Sequence, residues 1–392
     1  MIRLYSHGMR FICLVTCSVL SVSPLSSLLM TGPAFAQDNF SSKQADFQLV
    51  KITDGLNRPW ALQFLPGGEY LVSEKPGNLM RLSGDGDTKT PISGVPDVYF
   101  TRQGGLLDIL LAPDFEDGDW LYFCYAAALE RGVTSTEVAR ARLNLAANTL
   151  EDVQTIFVAK PKIRGPNHWG CRMVFAPDGK LHVTLGDRYN FMDEAQSLDN
   201  HLGTTIRINP DGSVPDDNPF IGKGNARPEI FTYGHRNGQG LDVHPETGDL
   251  WMHEHGPKGG DEVNILKAGE NYAWPEATYG IDYDGSIISR KQTLPGTVDP
   301  IHHWTPSIAP CGMTFYTGDK FPDWRGDLFI GALVEQHLHR LELDGDNVVD
   351  SERLLQGLGE RIRDVRQGPQ GYLYILTDSS DAELYRLEPT AP

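Results

Sequence analysis

Residues 171–187 read CRMVFAPDGKLHVTLGD, and the prediction of the fold starts from this stretch. Apolar side chains alternate with other residues on both sides of an Ala-Pro-Asp-Gly turn. A period of two is typical of β-strands, and a tight turn containing Pro and Gly joins antiparallel neighbours. The stretch therefore predicts a β-hairpin.

The same hairpin pattern returns along the whole chain, and such repetition predicts a repeat architecture. Convincing amphipathic helices are hard to find between the copies. Over residues 37–392 there are about 59 residues per copy, which is enough for four strands and their loops. The six copies begin at Trp60, Leu106, Cys171, Gly240, Gly312 and Ile362.

Radial repetition of small antiparallel sheets closes into a ring, which protects the strand edges. We therefore predict an all-β fold, a six-bladed β-propeller with four-stranded antiparallel blades. The alternative is a β-sandwich or a pair of smaller β domains. That alternative is less favoured because no Pro- or Ser-rich linker separates two halves of the chain.

The N-terminal segment has the pattern of an export signal. Two arginines precede an apolar, serine-studded run over residues 11–30, and Ala-Phe-Ala follows at residues 34–36. We predict that residues 1–36 are a cleaved signal peptide, that residues 37–392 form one propeller domain, and that the protein is periplasmic or secreted. An uncleaved anchor is the alternative. No later stretch has about 18 consecutive apolar residues, so we expect no membrane span in the mature chain.

The charge of the chain limits its partners. Its 52 acidic and 34 basic residues give a formal net charge of −18, which becomes −20 without the two leader arginines. An acidic surface without a basic cluster repels nucleic acids and anionic membranes. We therefore expect no nucleic-acid partner, whereas some of the acidic residues are candidates for binding a hard cation.

Three cysteines remain after the predicted leader is removed. Cys124 lies in the apolar strand WLYFCYA and is interpreted as a buried small hydrophobe. Cys171 and Cys311 each begin a strand of the same type, and in an oxidising compartment they could form one disulfide. The sequence leaves that pairing open.

Six segments rich in glycine and polar residues each adjoin a repeat strand. Taken singly, each is explained by a turn that needs glycine and capping groups, but six in equivalent places favour a shared site. The loops of successive blades converge at one mouth of a propeller channel, so we expect the segments to meet there. They are TRQGGLLD (101–108), GPNHWGCR (165–172), LGDRYN (185–190), YGHRNGQGLD (233–242), HEHGPKGGDE (253–262) and ERIRDVR (360–366).

His168 is the candidate for acid–base chemistry. An imidazole titrates near neutral pH, so a small shift leaves it able to accept a proton there. Asn167 beside it and Asp187 at the end of the partner strand could orient the ring. The alternative is an ordinary surface histidine in a glycine-bounded loop.

The arginines suggest a ligand that carries carboxylates. Arg361 and Arg363 are two residues apart, so on a strand their side chains share one face. Together with Arg236 they provide three guanidiniums, which bind carboxylates in a bidentate manner. The alternative is that these arginines pair locally with Asp364 and Glu360.

The stretch WMHEHGPKGGDEVNIL, residues 251–266, suggests a cation site. His253 and His255 would point to one face of a strand, but no convincing third zinc ligand accompanies them. Glycine and proline instead break the strand and expose backbone carbonyls, and Glu262 supplies a carboxylate. Coordination by oxygen alone suits Ca²⁺.

Together these motifs resemble the soluble sugar dehydrogenases that depend on pyrroloquinoline quinone (PQQ), in the aldose sugar dehydrogenase branch of the glucose/sorbosone dehydrogenase family. The resemblance covers nearly all of the mature chain and is most specific over residues 228–283, PEIFTYGHRNGQGLDVHPETGDLWMHEHGPKGGDEVNILKAGENYAWPEATYGIDY. It implies a six-bladed propeller, in agreement with the repeat count. It also implies oxidation of the C1 hydroxyl of an aldose to a lactone, with electrons passing to a periplasmic acceptor.

The resemblance also implies roles for individual residues. His168 corresponds to the general base. The main-chain carbonyls of Gly256 and Pro257 correspond to ligands of a Ca²⁺ that bridges to PQQ, and Glu262 with the Tyr272 carbonyl to ligands of a second, structural Ca²⁺. The residues that correspond to PQQ contacts are Gln103, Arg236, Asn237, Tyr283, Arg361 and Arg363.

The chain departs from the family pattern at two positions near the cofactor. Val334 stands where glucose-oxidising members have a lysine, and Arg188 replaces a glutamine. The preferred aldose, the electron acceptor and the oligomeric state are therefore left open. Two other functions are the alternatives, a calcium-dependent propeller lactonase and a sugar-binding propeller without catalysis.

Overall fold

Alternating apolar strands joined by short turns make up nearly all of the chain that the computed structural model describes, residues 39–128 and 132–390. In these residues there are short 3-10 helices at Met192–Gln196 and Pro322–Trp324, and no α-helix. No helix long and apolar enough to cross a membrane occurs there. The predicted signal peptide lies outside the described residues.

The strands form six antiparallel sheets, which confirms the predicted six-bladed propeller. Strands β1 (Asn39–Ser41) and β2 (Asp46–Leu56) come first in the chain but belong to the last sheet. Blade 1 contains β3 (Pro59–Phe64), β4 (Tyr70–Glu74), β5 (Asn78–Leu82) and β6 (Lys89–Ile92). Blade 2 contains β7 (Leu106–Leu111), β8 (Trp120–Ala128), β9 (Thr134–Asn144) and β10 (Thr149–Val158). Blade 3 contains β11 (Met173–Phe175), β12 (Leu181–Thr184), β13 (Thr204–Ile208) and β14 (Ile230–Tyr233).

The second half of the ring follows the same plan. Blade 4 contains β15 (Gly238–Val243), β16 (Leu250–Glu254), β17 (Asp261–Leu266) and β18 (His302–Trp304). Blade 5 contains β19 (Pro310–Phe315), β20 (Leu328–Ala332), β21 (Leu338–Asp344) and β22 (Asn347–Leu354). Blade 6 contains β23 (Ile362–Gln367), β24 (Leu373–Thr377) and β25 (Ala382–Pro389), followed in the sheet by β2 and β1.

The ring is closed by the two ends of the chain. β2 pairs antiparallel with β25, with Leu49 opposite Leu387, so the first strands complete the sheet that the last strands begin. Each innermost strand also contacts the innermost strand of the next blade, and β23 contacts β3. The sheet edges nearest the channel are therefore covered all the way round.

Three aspartates join neighbouring blades at the channel, and two of them, Asp108 and Asp364, are buried. Asp108 accepts a hydrogen bond from the Met173 backbone N–H (2.8 Å), and Asp364 accepts one from Leu62 (3.0 Å). Asp242 accepts the corresponding bond from Phe315 (3.1 Å). Each aspartate lies on the innermost strand of an even-numbered blade and holds the innermost strand of the next one.

Two arginines balance part of this buried charge. Arg172 lies 3.5 Å from Asp108 and 2.9 Å from Asp364, and Arg366 lies 3.3 Å and 3.1 Å from the same two carboxylates. Breaking a buried pair of this kind leaves an uncompensated charge, which is strongly destabilising. The network therefore fixes how blades 2, 3 and 6 meet.

Cys124 is buried as predicted, but it forms a disulfide, and the possible disulfide between Cys171 and Cys311 does not form. Cys171 is bonded to Cys124, with a Cα–Cα distance of 5.6 Å, while Cys311 is a buried free thiol. The reason lies in the ring order. Cys124 is in blade 2 and Cys171 precedes the first strand of blade 3, so the two are neighbours, whereas Cys311 begins blade 5.

Candidate active site

The polar loops of the blades meet at one end of the channel and surround a cavity of about 250 Å³. Its lining includes residues from every blade and several of the predicted site residues. A second cavity of about 620 Å³ adjoins it and is lined by Gly256 and Pro257. The predicted residues that line the first cavity are Gln103, Asn237, Tyr283, Arg361 and Arg363.

His168 is buried beside this cavity, next to the lining residues Gln103 and Trp169. Its backbone N–H donates to Gln103 Oε1 (2.7 Å), and its Nδ1 lies 2.6 Å from Asp187 Oδ1. Its φ is +52°, a conformation that costs energy in a residue other than glycine and that often occurs at functional sites. In the described part of the chain its Nε2 has no hydrogen-bond partner, so this nitrogen is available to a ligand.

The electrostatics favour a neutral imidazole and an ionised aspartate. Burial lowers the pKa of His168, and the charge of Arg236 lowers it further, against the opposing effect of Asp187. Burial alone would raise the pKa of Asp187, but the hydrogen bond and charge of His168 outweigh it and hold that pKa low. With Nδ1–H donating to Asp187, the Nε2 lone pair can accept a proton.

Asp187 is itself held by two further donors. Its Oδ1 also accepts from the Tyr189 backbone N–H (2.7 Å), and its Oδ2 accepts from Trp274 Nε1 (2.9 Å). The Tyr189 ring lies edge-on to His168, with centroids 5.2 Å apart. The predicted orienting role of Asp187 therefore has a geometric basis. Asn167 contacts Arg188 instead, since its backbone carbonyl accepts a hydrogen bond from Arg188 Nε at 3.2 Å.

Arg188 is buried and holds the loop that carries His168, which we call the histidine loop (residues 165–170). Its guanidinium donates to the carbonyls of Gly165 and Asn167 and to Thr134 Oγ1, and lies 3.6 Å from the Trp169 ring centroid. Its backbone φ is +59°. Arg188 therefore supports the histidine loop and does not extend freely into the cavity.

The paired arginines of blade 6 share one carboxylate. Arg361 Nε and Arg363 Nη2 both donate to Asp378 Oδ2, at 3.0 Å and 2.8 Å, which confirms that they lie on one face. Arg363 Nη1 also contacts Cys311 Sγ at 3.2 Å, and its buried Nε has no partner among the described residues. Their ionic partner is thus Asp378, not the local Asp364 and Glu360 of the alternative interpretation.

Glu254, the glutamate between the two histidines of HEH, holds the backbone of Arg236 and Asn237 in place. Its carboxylate accepts from the backbone N–H groups of Arg236 and Asn237 and lies 2.8 Å from His235 Nδ1. Asn237 Oδ1 in turn accepts from the Gly170 N–H at 3.1 Å, so blade 4 supports the histidine loop. Sequence reasoning could have found Glu254, because it is an acidic residue inside a buried strand.

The two histidines of HEH are both engaged with backbone. His253 Nε2 contacts the Gly312 carbonyl (3.1 Å), and His255 Nε2 contacts the Pro310 carbonyl (2.7 Å). Burial lowers the pKa of His253 to about 3 and also lowers the pKa of His255. These neutral rings attach blade 4 to blade 5, and the His255 ring also lines the cavity.

Gly256 and Pro257, in the loop predicted to bind Ca²⁺, line the second cavity. Asp261 shapes this loop, since its Oδ1 accepts the Gly256 N–H at 2.8 Å. The Gly256 carbonyl accepts from Arg236 Nη1 (2.6 Å), whereas no donor to the Pro257 carbonyl is found in residues 39–128 and 132–390. These oxygens fit a hard cation chemically, with Arg236 sharing the Gly256 oxygen.

Glu262 and Tyr272 lie apart from these cavities, in blade 4 and the segment after β17. Burial and the nearby Glu254 raise the pKa of Glu262 well above its usual value, and no basic side chain pairs with it in the described chain. Asn264 donates to both glutamates, yet its own buried Oδ1 has no partner within residues 39–128 and 132–390. The described residues contain no cluster of three or more His, Cys, Asp or Glu that could hold a metal. A cation at Glu262 would therefore need carbonyl oxygens, and the Tyr272 carbonyl accepts the Trp274 N–H at 3.0 Å.

Several residues of this site were missed in the sequence analysis. Trp274 donates one side-chain hydrogen bond to Asp187, and Asp378 accepts from both Arg361 and Arg363. No local sequence pattern indicates these contacts. Lys75 lines the cavity together with the predicted residues. Its position directly after an apolar strand, in SEKPGN, was the available signal.

Comparisons with known proteins agree with this geometry. Residues 56–386 match the family model described as Glucose / Sorbosone dehydrogenase. The aldose sugar dehydrogenase YliI of Escherichia coli (strain K12) is 43% identical over 341 residues, covering 86% of this chain and 92% of that protein.

Two solved structures extend the comparison. The soluble aldose sugar dehydrogenase (Asd) from Escherichia coli, in its apo-form, has a TM-score of 0.85 at 42% identity, covering 88% of this chain and 100% of that one. The PQQ-bound form of aldose sugar dehydrogenase (Adh) from Streptomyces coelicolor has a TM-score of 0.73 at 28% identity, covering 88% of this chain and 98% of that one. The chain therefore belongs to the glucose/sorbosone dehydrogenase family of oxidoreductases.

Proposed function

We propose that this protein oxidises the C1 hydroxyl of aldose sugars to lactones, with PQQ as cofactor and Ca²⁺ beside it. Family membership and the PQQ-bound relative from Streptomyces coelicolor support the proposal. The observation that carries it is the 2.6 Å contact between His168 Nδ1 and Asp187 Oδ1, in a histidine that also bonds Gln103 in the wall of an arginine-lined cavity.

In this proposal His168 removes the proton of the sugar hydroxyl. The neutral imidazole accepts that proton at Nε2, and ionised Asp187 stabilises the resulting imidazolium through Nδ1–H. Trp274 and the Tyr189 N–H keep the carboxylate in place during the transfer. Bound PQQ would supply the two-electron acceptor for the hydride that leaves C1.

The cofactor would be held mainly through its three carboxylates. Arg361 and Arg363 have guanidinium forks suited to bidentate contacts, and the Nε of Arg363 is still without a partner in the described chain. Gln103, Asn237 and Tyr283 would supply polar and aromatic contacts from other blades. Ring closure brings these residues together from distant parts of the sequence.

The cation sites complete the proposal. The carbonyls of Gly256 and Pro257 would hold a Ca²⁺ that adds Lewis acidity beside the cofactor. Arg236, which donates to the same Gly256 oxygen, keeps that loop in place. Glu262 and the Tyr272 carbonyl would hold a second Ca²⁺ that compensates the buried negative charge near Glu254.

Reconstitution tests the proposal. The purified protein is loaded with PQQ and Ca²⁺ and mixed with a panel of mono- and disaccharides and a redox dye, and a chelator is added to a parallel sample. We expect dye reduction only with PQQ, and its loss with the chelator. Lactone hydrolysis without PQQ would instead indicate a lactonase, and sugar binding without either activity would indicate a binding protein.

His168→Ala tests the role of the base. Loss of a general base typically lowers turnover by about 10²- to 10⁴-fold, while PQQ binding should remain near that of the wild type. PQQ affinity is measured by calorimetry alongside dye reduction. Turnover equal to the wild type in the fully loaded variant would refute this role.

We also propose export to the periplasm, where an electron acceptor would reoxidise the cofactor. Cleavage after residue 36 would leave Gln37 as the first residue, two positions before β1 begins at Asn39. Intact-mass spectrometry of the protein from its source cells checks this. A mass that includes residues 1–36 would contradict it.

A further inference from the structure

Lys75 is a buried cation in the wall of the proposed cofactor cavity. It follows strand β4, is 8% exposed, and lines the cavity together with Arg361 and Arg363. An ammonium group is seldom buried unless it is paired, because removing it from water is costly.

The partners of Lys75 do not neutralise its charge. Its Nζ donates to the Arg102 carbonyl at 2.6 Å, and no carboxylate forms an ion pair with it among the described residues. Asp378 is the nearby acid that influences it, but both arginines of blade 6 already bind that carboxylate. Burial, with Arg363 and Arg58, lowers the pKa of Lys75 to about 8, while Asp378 and the Cys311 thiol act in the opposite direction.

The charged residues that line the cavity as a whole are also predominantly basic. Lys75, Arg361 and Arg363 line it, and in the described chain no Asp or Glu does so. This occurs in a protein with a formal net charge of −18. An excess of positive charge in the wall of one cavity of an acidic chain indicates a ligand with several negative charges.

We propose that Lys75 binds a carboxylate of the cofactor directly, so that its ammonium supplies a positive contact from blade 1. The inference rests on the proposed function, since the ligand is PQQ. Val334, which lines the same cavity from blade 5, offers no charge there. Lys75 would thus supply a cationic contact to the cofactor that the residue at position 334 does not supply.

A purely structural role is the competing explanation. The bond from Lys75 to the Arg102 carbonyl could serve only to hold the segment that presents Gln103. The two roles differ in their dependence on salt, because screening weakens a charge contact with the ligand but affects loop packing little.

Calorimetric titration of the purified apo-protein with PQQ, in Ca²⁺ and at several salt concentrations, tests the inference. We expect Lys75→Met to weaken PQQ binding about 10- to 100-fold, as for the loss of a hydrogen bond between charged groups, and to make the salt dependence shallower. Lys75→Arg should bind more tightly than Lys75→Met. Adding Val334→Lys to Lys75→Met should restore part of the affinity and of the salt dependence.

Lys51→Met is the matched control, because Lys51 lies on the outer strand β2 and pairs with Asp54 and Glu383 on the surface. It should bind PQQ as the wild type does. Wild-type affinity in Lys75→Met would overturn the inference, and so would weaker binding with an unchanged salt dependence. Failure of the wild type itself to bind PQQ would instead refute the proposed function.

Discussion

Trp274 donates its indole N–H to Asp187 Oδ2 at 2.9 Å, across 87 residues of sequence. The other oxygen of this carboxylate contacts His168. The tryptophan therefore sets the position and basicity of the group that orients the proposed base. This contact joins the segment after β17 in blade 4 to blade 3, so it requires these two blades to pack together.

We expect Trp274→Phe to lower kcat by up to about tenfold, since a hydrogen bond to a charged group is lost. The carboxylate becomes more basic without its donor, so the pKa of His168 should rise. Steady-state kinetics across pH measures both effects. Trp324→Phe is the control, because Trp324 is also buried but its Nε1 has no hydrogen-bond partner among the residues that the structure describes. Equal effects in the two variants would show that only packing matters.

The pH dependence of kcat/KM should have an acid limb with its midpoint below 6.5. His168 must be neutral to accept a proton, and burial together with Arg236 lowers its pKa. Activity is therefore retained above that pKa and lost as pH falls through it. Rates measured between about pH 4.5 and 8 with PQQ-loaded protein check this expectation. A midpoint above 6.5 would contradict the electrostatic account.

Arg188→Lys should lower kcat about 10- to 100-fold and leave PQQ affinity nearly unchanged. Lysine retains the charge but cannot contact Gly165, Asn167 and Thr134 together, so the histidine loop would shift relative to the sugar. Turnover and PQQ titration are measured on the same preparation. Arg142→Lys is the control, since Arg142 also lies over an indole ring, at 4.0 Å from Trp120, but on the exposed side of blade 2. A fall in PQQ affinity instead of kcat would place Arg188 at the cofactor.

Replacing Cys124 and Cys171 together with alanine should destabilise the protein by about 2–4 kcal/mol, because the bond closes a loop of 47 residues. Urea unfolding monitored by tryptophan fluorescence measures the loss. A reducing agent should destabilise the wild type similarly and the double variant no further. Equal stability of oxidised wild type and double variant would show that the bond contributes nothing.

Much of the fold was predictable because its signal is local. Strand alternation and Pro-Gly turns appear within about 17 residues, as in residues 171–187, and each copy marked the first strands of a blade. The pairing of β2 with β25 was not predictable from pattern, because the two ends of the chain meet only through ring closure.

The candidate site was predictable where charged or glycine-rich motifs mark it, as with His168 and Arg363. The ion-pair partners of the site residues were less predictable. Arg363 pairs with Asp378 across a hairpin instead of with its neighbour Asp364, because adjacent residues on a strand face opposite sides. Asp364 faces the channel and contacts Arg172 there.

The sequence by itself determined the strand period, the number of blades and the residue types that surround the channel mouth, since these depend on neighbours within one hairpin. Tertiary structure alone decided that Cys171 bonds Cys124, that Trp274 holds Asp187, and that Lys75 lies in the cavity wall and donates to the Arg102 carbonyl. The physical reason is that such contacts depend on how the blades are arranged around the ring. Blade order and inter-blade packing set that arrangement, and no short stretch of sequence encodes it.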